Sequence, residues 1–164
     1  MVVPPLFRFL VYPRRVPCIF CEIVAGRAPA SVVFADERVV AFLDIHPWRP
    51  GHTLVVPRAH AVRLGELAPA DRAALASGAF AVAAALRASE LPCDDLNLWL
   101  ADGPAANQTV AHVHMHVVPR RRGDTLRLAA RLVTELIRPI ATPAPRAMLD
   151  AQAAGLAAVV SPRR

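Results

Sequence analysis

His112-Val113-His114-Met115-His116-Val117-Val118-Pro119 is the stretch on which the reading of this chain turns. Polar and apolar residues alternate, the period of an extended strand whose successive side chains point to opposite faces. On that reading Val113, Met115 and Val117 enter a core, while His112, His114 and His116 share the other face about 7 Å apart. A lone strand histidine is usually a half-buried, hydrogen-bonded side chain. Three in register would repel one another when protonated, so coupled titrations near neutrality are expected. Two chemistries suit such a trio: ligation of a catalytic zinc, or attack on phosphorus by one ring while its neighbours handle protons and charge. Gln108-Thr109-Val110 lies just upstream, after the Gly103-Pro104 turn. An amide, a hydroxyl and turn N–H groups form a cradle for anionic oxygens, which favours the phosphorus reading over the metal.

Outward from this stretch the chain reads as short strands around one long helix. Ser31 to Phe34 and Val39 to Leu43 are β-branched runs parted by Asp36-Glu37, an antiparallel pair; Gly51 to Pro57 is a third strand. Leu96 to Leu100 is a fourth and Val110 to Val118 a fifth. Leu67 to Leu91 opens with Pro69 and Asp71, runs on alanine and leucine, and stops at Pro92, so it is expected to be helical. A shorter helix is expected near Arg27, and Leu126 to Ile137 and Pro145 to Val160 are further helical segments. The sum is an α+β domain: about five antiparallel strands, one long helix and a shorter one. Residues 1–16 are expected to be an N-terminal extension, 17–124 the domain, and 125–164 a C-terminal helical tail.

A chain of 164 residues, 55% hydrophobic and 20% charged, can form one domain with a true core. The net charge of +6 invites a nucleic-acid partner, but its placement argues otherwise. All nineteen basic residues are arginines, and Arg8, Arg14, Arg15, Arg163 and Arg164 lie at the two ends. The rest hold fourteen arginines against thirteen acids. Arg120-Arg121-Arg122 is the one internal run, either a solvated basic turn or a steering surface for phosphate-rich substrates. No apolar stretch approaches the roughly 20 residues of a membrane span. The N-terminal MVVPPLFRFLVYPRR carries its charge after the apolar part, unlike a signal peptide, and reads as upstream sequence with Val16 as the alternative start. Cys18, Cys21 and Cys93 are an odd set that suits reduced thiols or metal, hence a cytoplasmic protein. Cys18-x-x-Cys21 has metal-pair spacing, though such pairs also occur as buried thiols; Cys93 reads as a buried thiol.

Gln108-Thr109-Val110-Ala111-His112-Val113-His114-Met115-His116-Val117-Val118-Pro119-Arg120 resembles the signature of the histidine triad (HIT) family of nucleotide hydrolases and transferases. The likeness extends to Cys18-Ile19-Phe20-Cys21-Glu22-Ile23, to Ala41-Phe42-Leu43-Asp44-Ile45 and to the segment from Gly51 to His60. It covers residues 17–124 in the family's order and spacing. The resemblance implies the HIT-like fold, a homodimer, and attack by the middle histidine on the α-phosphate of a purine nucleotide. His114 would then be the nucleophile, His116 would orient it and contact phosphate, and His112 and His52 would complete the cluster. Gln108 and Thr109 match phosphate and leaving-group positions. Asp44 matches the carboxylate that holds the ribose hydroxyls, with Phe20, Ile23 and Ile45 lining the base pocket; on its own, Asp44 also reads as a turn cap. Many relatives hold structural zinc with the cysteine pair and two histidines, which here would be Cys18, Cys21, His60 and His112.

Two positions depart from the family pattern. Ala101 stands where an asparagine or glutamine often reaches the reaction centre, and alanine cannot make that bond. Asn107 stands where glycine is common beside the phosphate; asparagine tolerates left-handed backbone better than most residues, and it is a candidate to supply the amide missing at Ala101. His116 is retained where the sugar-phosphate transferase branch has glutamine, which favours hydrolysis. Nucleoside phosphoramidates and dinucleoside polyphosphates are both implied substrates, and a nucleotide-binding signalling protein with little turnover is the alternative.

Overall fold

The computed structural model describes residues 17–137 and 142–160; the expected extension over residues 1–16 lies outside them. In chain order the elements are α1 (Ile19–Val24), β1 (Val32–Ala35), β2 (Val39–Leu43), β3 (Thr53–Pro57), α2 (Pro69–Ala88), β4 (Asp95–Leu100), β5 (Met115–Arg120), α3 (Thr125–Ile137) and α4 (Arg146–Ala157). The strands form one antiparallel sheet in the order β1-β2-β3-β5-β4, so β5 threads between β3 and β4. The fold is α+β, as expected.

Both faces of the central strands are covered, which is why β2 and β3 are buried at every position and read as unbroken apolar runs. Val39, Ala41 and Leu43 of β2, Val55 of β3 and Val117 of β5 meet one stripe of α2: Leu75, Ala79, Val82, Ala83 and Leu86. Alanines on that stripe let the helix lie close to the sheet. Phe80 falls off the stripe and is 64% exposed. On the opposite face Val40, Phe42, Leu54 and Val56 enclose Phe20 of α1.

Several boundaries differ from those expected. The short helix is Ile19–Val24 and ends before Arg27; Gly26, at φ +72°, turns the chain out of it. Arg27 instead forms a fork to the Glu22 carboxylate. The fifth strand begins at Met115, not Val110. Upstream the His112 N–H turns back to the Val110 carbonyl at 2.8 Å and the Val113 N–H reaches the Ala61 carbonyl, so neither joins the ladder. The segment 125–164 contains the two expected helices, but α4 is part of the main core. Leu149, Ala153 and Leu156 are buried in it, and Ser31 donates to Asp150 at 2.6 Å. Cys93 is half-buried rather than buried, its thiol directed at the Asp95 carbonyl.

Candidate active site

The loop before β5 is shaped by one buried amide. Gln108 Oε1 accepts the Gly103 N–H at 2.7 Å, and Nε2 donates to the carbonyls of Val62 at 2.9 Å and His112 at 3.3 Å. Gln108 is fully buried, so the expected phosphate ligand instead ties three segments together beneath the loop. Gly103 has φ +109°, and a Cβ there would collide with the Arg63 guanidinium, which donates to the Asp102 carbonyl at 3.0 Å. Asn107 adopts the left-handed conformation at φ +63°, as the sequence allows, and it and Thr109 are exposed at the loop surface.

His114 Nδ1 lies 2.7 Å from the His112 carbonyl oxygen. A carbonyl only accepts, so Nδ1 carries the hydrogen and the lone pair sits on Nε2. Burial lowers the pKa of this ring, which keeps it a neutral imidazole at pH 7. Its neighbours are Phe20, edge-on at 5.2 Å, and His116 at 5.0 Å between centroids. Phe20 is itself buried against Phe42, His112 and His114. A second relay fixes His116. The Trp48 backbone N–H donates to His52 Nδ1 at 3.2 Å, so His52 Nε2–H donates to His116 Nδ1 at 2.9 Å. The remaining hydrogen of His116 is therefore on Nε2. Burial, then repulsion from His52 and His114, pushes the pKa of His116 down to about 3.

Asp44 performs the turn-capping role with Oδ1, which accepts the His46 N–H at 2.9 Å, and directs Oδ2 at His52 Nδ1 at 3.7 Å. Ile45 is 40% exposed and Ile23 half-buried at the rim. Sequence reasoning passed over Trp48, whose indole stacks on His116 at 5.3 Å and 3°. It also missed Gln152 of α4, which accepts the Gly51 N–H beside His52. Trp48 was findable from its place between Asp44 and His52; nothing local marks Gln152.

His112 corrects the trio. Its ring lies against Phe20 at 6.0 Å, on the same side as His114, while Val113 and Val117 enter the main core as the alternation requires; what differs is where its nitrogens point. Its Nε2–H donates to the Pro57 carbonyl at 2.9 Å, and Nδ1 points at Cys18, Cys21 and His60, leaving no ring nitrogen for the reaction centre. The Sγ–Nδ1 separations are 3.5 Å for Cys18–His112, 3.6 Å for Cys21–His112 and 3.2 Å for Cys21–His60; His60 and His112 Nδ1 are 3.3 Å apart. Zinc at the centre of a tetrahedron requires roughly 3.6 Å between sulfur and nitrogen and roughly 3.3 Å between nitrogens, so these four residues fit it. The Pro57 carbonyl fixes the tautomer that frees Nδ1 for a metal. Burial and the neighbouring Cys18 raise the Cys21 thiol to about 11, so a cation is what would hold that sulfur as a thiolate.

The HIT domain family matches residues 25–123. The chain belongs to the HIT family. An uncharacterized HIT-like protein of Mycobacterium tuberculosis is 45% identical over 113 residues, 69% of this chain and 78% of that one. An adenylylsulfatase of Arabidopsis thaliana is 33% identical over 109 residues, 66% of this chain and 55% of its own length. Among solved structures, a zinc-bound histidine triad family protein from Mycobacterium smegmatis is 38% identical with a TM-score of 0.72, covering 87% of this chain and 92% of its own.

Proposed function

We propose that this HIT protein is a nucleotide hydrolase and nucleotidyl transferase that cleaves nucleoside phosphoramidates or dinucleoside polyphosphates at the α-phosphorus. The observation that carries the reading is the 2.7 Å contact from His114 Nδ1 to the His112 carbonyl, which leaves Nε2 unprotonated and nucleophilic. His114 Nε2 forms a bond to phosphorus as the P–N or P–O bond breaks, and the leaving group departs with the electron pair and takes up a proton. Water then attacks the nucleotidyl-histidine, releases the nucleoside monophosphate and restores His114. His116 Nε2–H is the donor to the phosphate and leaving-group oxygens. Asn107 and Thr109 flank the phosphate, Asp44 Oδ2 takes the ribose hydroxyls, and Ile23 and Ile45 border a purine above Phe20.

Cys18, Cys21, His60 and His112 would hold structural zinc, which when bound cross-links α1, the segment after β3 and the chain leading to His114. A homodimer is supported by β4, an outer strand of the sheet whose edge can pair with the same strand of a second copy. Cytoplasmic residence fits three cysteines that form no disulfide, and among the described residues no helix is long and apolar enough to cross a membrane. Ala101, 7% exposed, favours a second reading as a nucleotide-binding signalling protein with little turnover.

Rapid quenching with an adenosine phosphoramidate or a diadenosine polyphosphate, followed by mass spectrometry, separates the two. An acid-labile nucleotidyl adduct on the His114 peptide, absent in His114→Ala, is the expected result. Nucleotide binding with neither adduct nor product would leave the binding protein.

A further inference from the structure

The groove does not end at the histidines. His116, Val118 and Arg120 share one face of β5, and across the register Trp99 lies opposite His116 and Asn97 opposite Val118. Trp48, stacked on His116, meets Trp99 edge to face at 5.6 Å. With Leu98, Val118 and Leu128 of α3, the two indoles wall a hollow of about 240 Å³ directly beside the catalytic rings. Its far wall is Arg120, whose guanidinium is held by Asn97 Oδ1 at 2.5 Å and by Asp124 at 2.6 and 2.9 Å.

Beyond that Arg120–Asp124 pair lies a second hollow of about 290 Å³, lined by Arg49, Arg121, Arg122 and Arg127 around Asp124. The two hollows are consecutive, since Trp48 precedes Arg49 in the chain and Arg127 precedes Leu128. Asp124 is buried and already engaged: it takes both contacts from Arg120, the Arg121 N–H at 3.0 Å, and Arg49 at 3.6 Å. Asp94 accepts only the backbone N–H of Arg122. Among the described residues no carboxylate forms an ion pair with the side chains of Arg121, Arg122 or Arg127. Four guanidinium groups against one carboxylate make this end of the groove an anion site, and their forked donors match phosphate oxygens. Five residues of extended chain separate His116 from Arg121, about 17 Å. That exceeds the reach of a short phosphate chain and approximates a nucleotide.

We propose that the two hollows are the leaving-group subsite, selecting substrates whose leaving group is nucleotide-sized, with a flat ring for Trp48 and Trp99 and a phosphate at its far end for Arg121, Arg122 and Arg127. This rests on the nucleotidyl-transfer reading above and names the substrate class for the same centre. Indole faces hold a planar ring by stacking, and the arginines supply the charge that separates phosphorylated from plain aromatic leaving groups.

Three probes test it: adenosine 5′-phosphoramidate, its N-naphthylmethyl derivative, and that derivative with a phosphonate on the remote ring. In each the P–N bond breaks and the amine leaves. The phosphonate is expected to raise kcat/KM about tenfold over the plain naphthyl probe, as a few partly exposed charge pairs would. The preference should shrink as ionic strength rises. In an R122Q/R127Q double variant that ratio falls to near one while the melting temperature holds. In Trp99→Ala the advantage of the naphthyl probe over the unsubstituted phosphoramidate is lost. Cleavage of all three probes with a phosphonate ratio of one, or a ratio that survives R122Q/R127Q, overturns the subsite while leaving nucleotidyl transfer intact. If the double variant alters only retention of a single-stranded oligonucleotide, the arginines form a nucleic-acid face and the proposal fails. No product and no His114 adduct from any probe would remove the underlying reading itself.

Discussion

Replacing Gln108 by alanine separates two roles for one residue. A phosphate ligand at an exposed loop can be removed with little effect on stability. The structure instead buries this amide completely, with the Gly103 N–H at 2.7 Å, the Val62 carbonyl at 2.9 Å and the His112 carbonyl at 3.3 Å among its partners. Three such bonds contribute about 1 kcal/mol each, and the truncated side chain leaves a void and an unsatisfied N–H that bring the loss to about 4 kcal/mol. In a domain of this size that lowers the melting temperature by about 12 °C. Because the His112 carbonyl also accepts from His114 Nδ1, activity should fall as well. Gln108→Glu sharpens the test: Oε1 can still accept from Gly103, but the second oxygen then faces two carbonyls, so it should not rescue. Thermal melting by circular dichroism, beside kcat/KM on an adenosine phosphoramidate, reads both effects. An alanine variant that melts within about 2 °C of wild type yet loses activity would refute the buried-tie account in favour of a phosphate ligand.

Cys18→Ala should lower both bound zinc, counted by native mass spectrometry, and the melting temperature; unchanged metal content would sink the Cys₂His₂ assignment. Gln152→Ala removes the acceptor for the buried Gly51 N–H and should cost about 1 kcal/mol of stability, with kcat/KM falling severalfold through displacement of His52; equal kinetics would show that α4 does not position the site. The buried histidines set the acid limb. The folded pKa of His116 lies near 3 and that of the unfolded chain near 6.5, so its contribution to stability is intact above about 6.5 and lost as pH falls towards 3. Melting temperature should therefore decline across that interval. His114, also lowered by burial, should stay nucleophilic below the pH at which an unperturbed histidine titrates, keeping kcat/KM flat through that region. A kinetic pKa at 6.5 would contradict the burial of the ring.

Local pattern was enough for much of this protein. β2 at Val39–Leu43 coincides with its apolar run because that run is buried on both faces. The limits of α2 follow from Pro69 and from the alanine-rich run that ends short of Pro92. The order of the motif blocks marked the family, and it was that resemblance that grouped Cys18, Cys21, His60 and His112, whose donor atoms the fold brings within 4.8 Å of one another. What the pattern misjudged were features settled by distant partners. Strand periodicity put Val113, Met115 and Val117 in the core and the three histidines on the other face, as found, but it could not say where each ring nitrogen points. Ala61 draws Val113 off the ladder, so β5 starts at Met115, and the Pro57 carbonyl, by taking His112 Nε2–H, turns Nδ1 to the cysteines. Gln108 looked like a ligand until the loop closed over it. Its chemistry is the same in either role, and only burial distinguishes them. Trp48 with Arg49, Trp99 and Arg127 come from three separate segments, and α4, which packs on the sheet and caps Gly51 through Gln152, lies about a hundred residues from the loop it supports. Sequence alone fixed which groups were available for chemistry. The tertiary structure decided which of them face one another, because that depends on the register of β5 between β3 and β4 and on the helices that close the core.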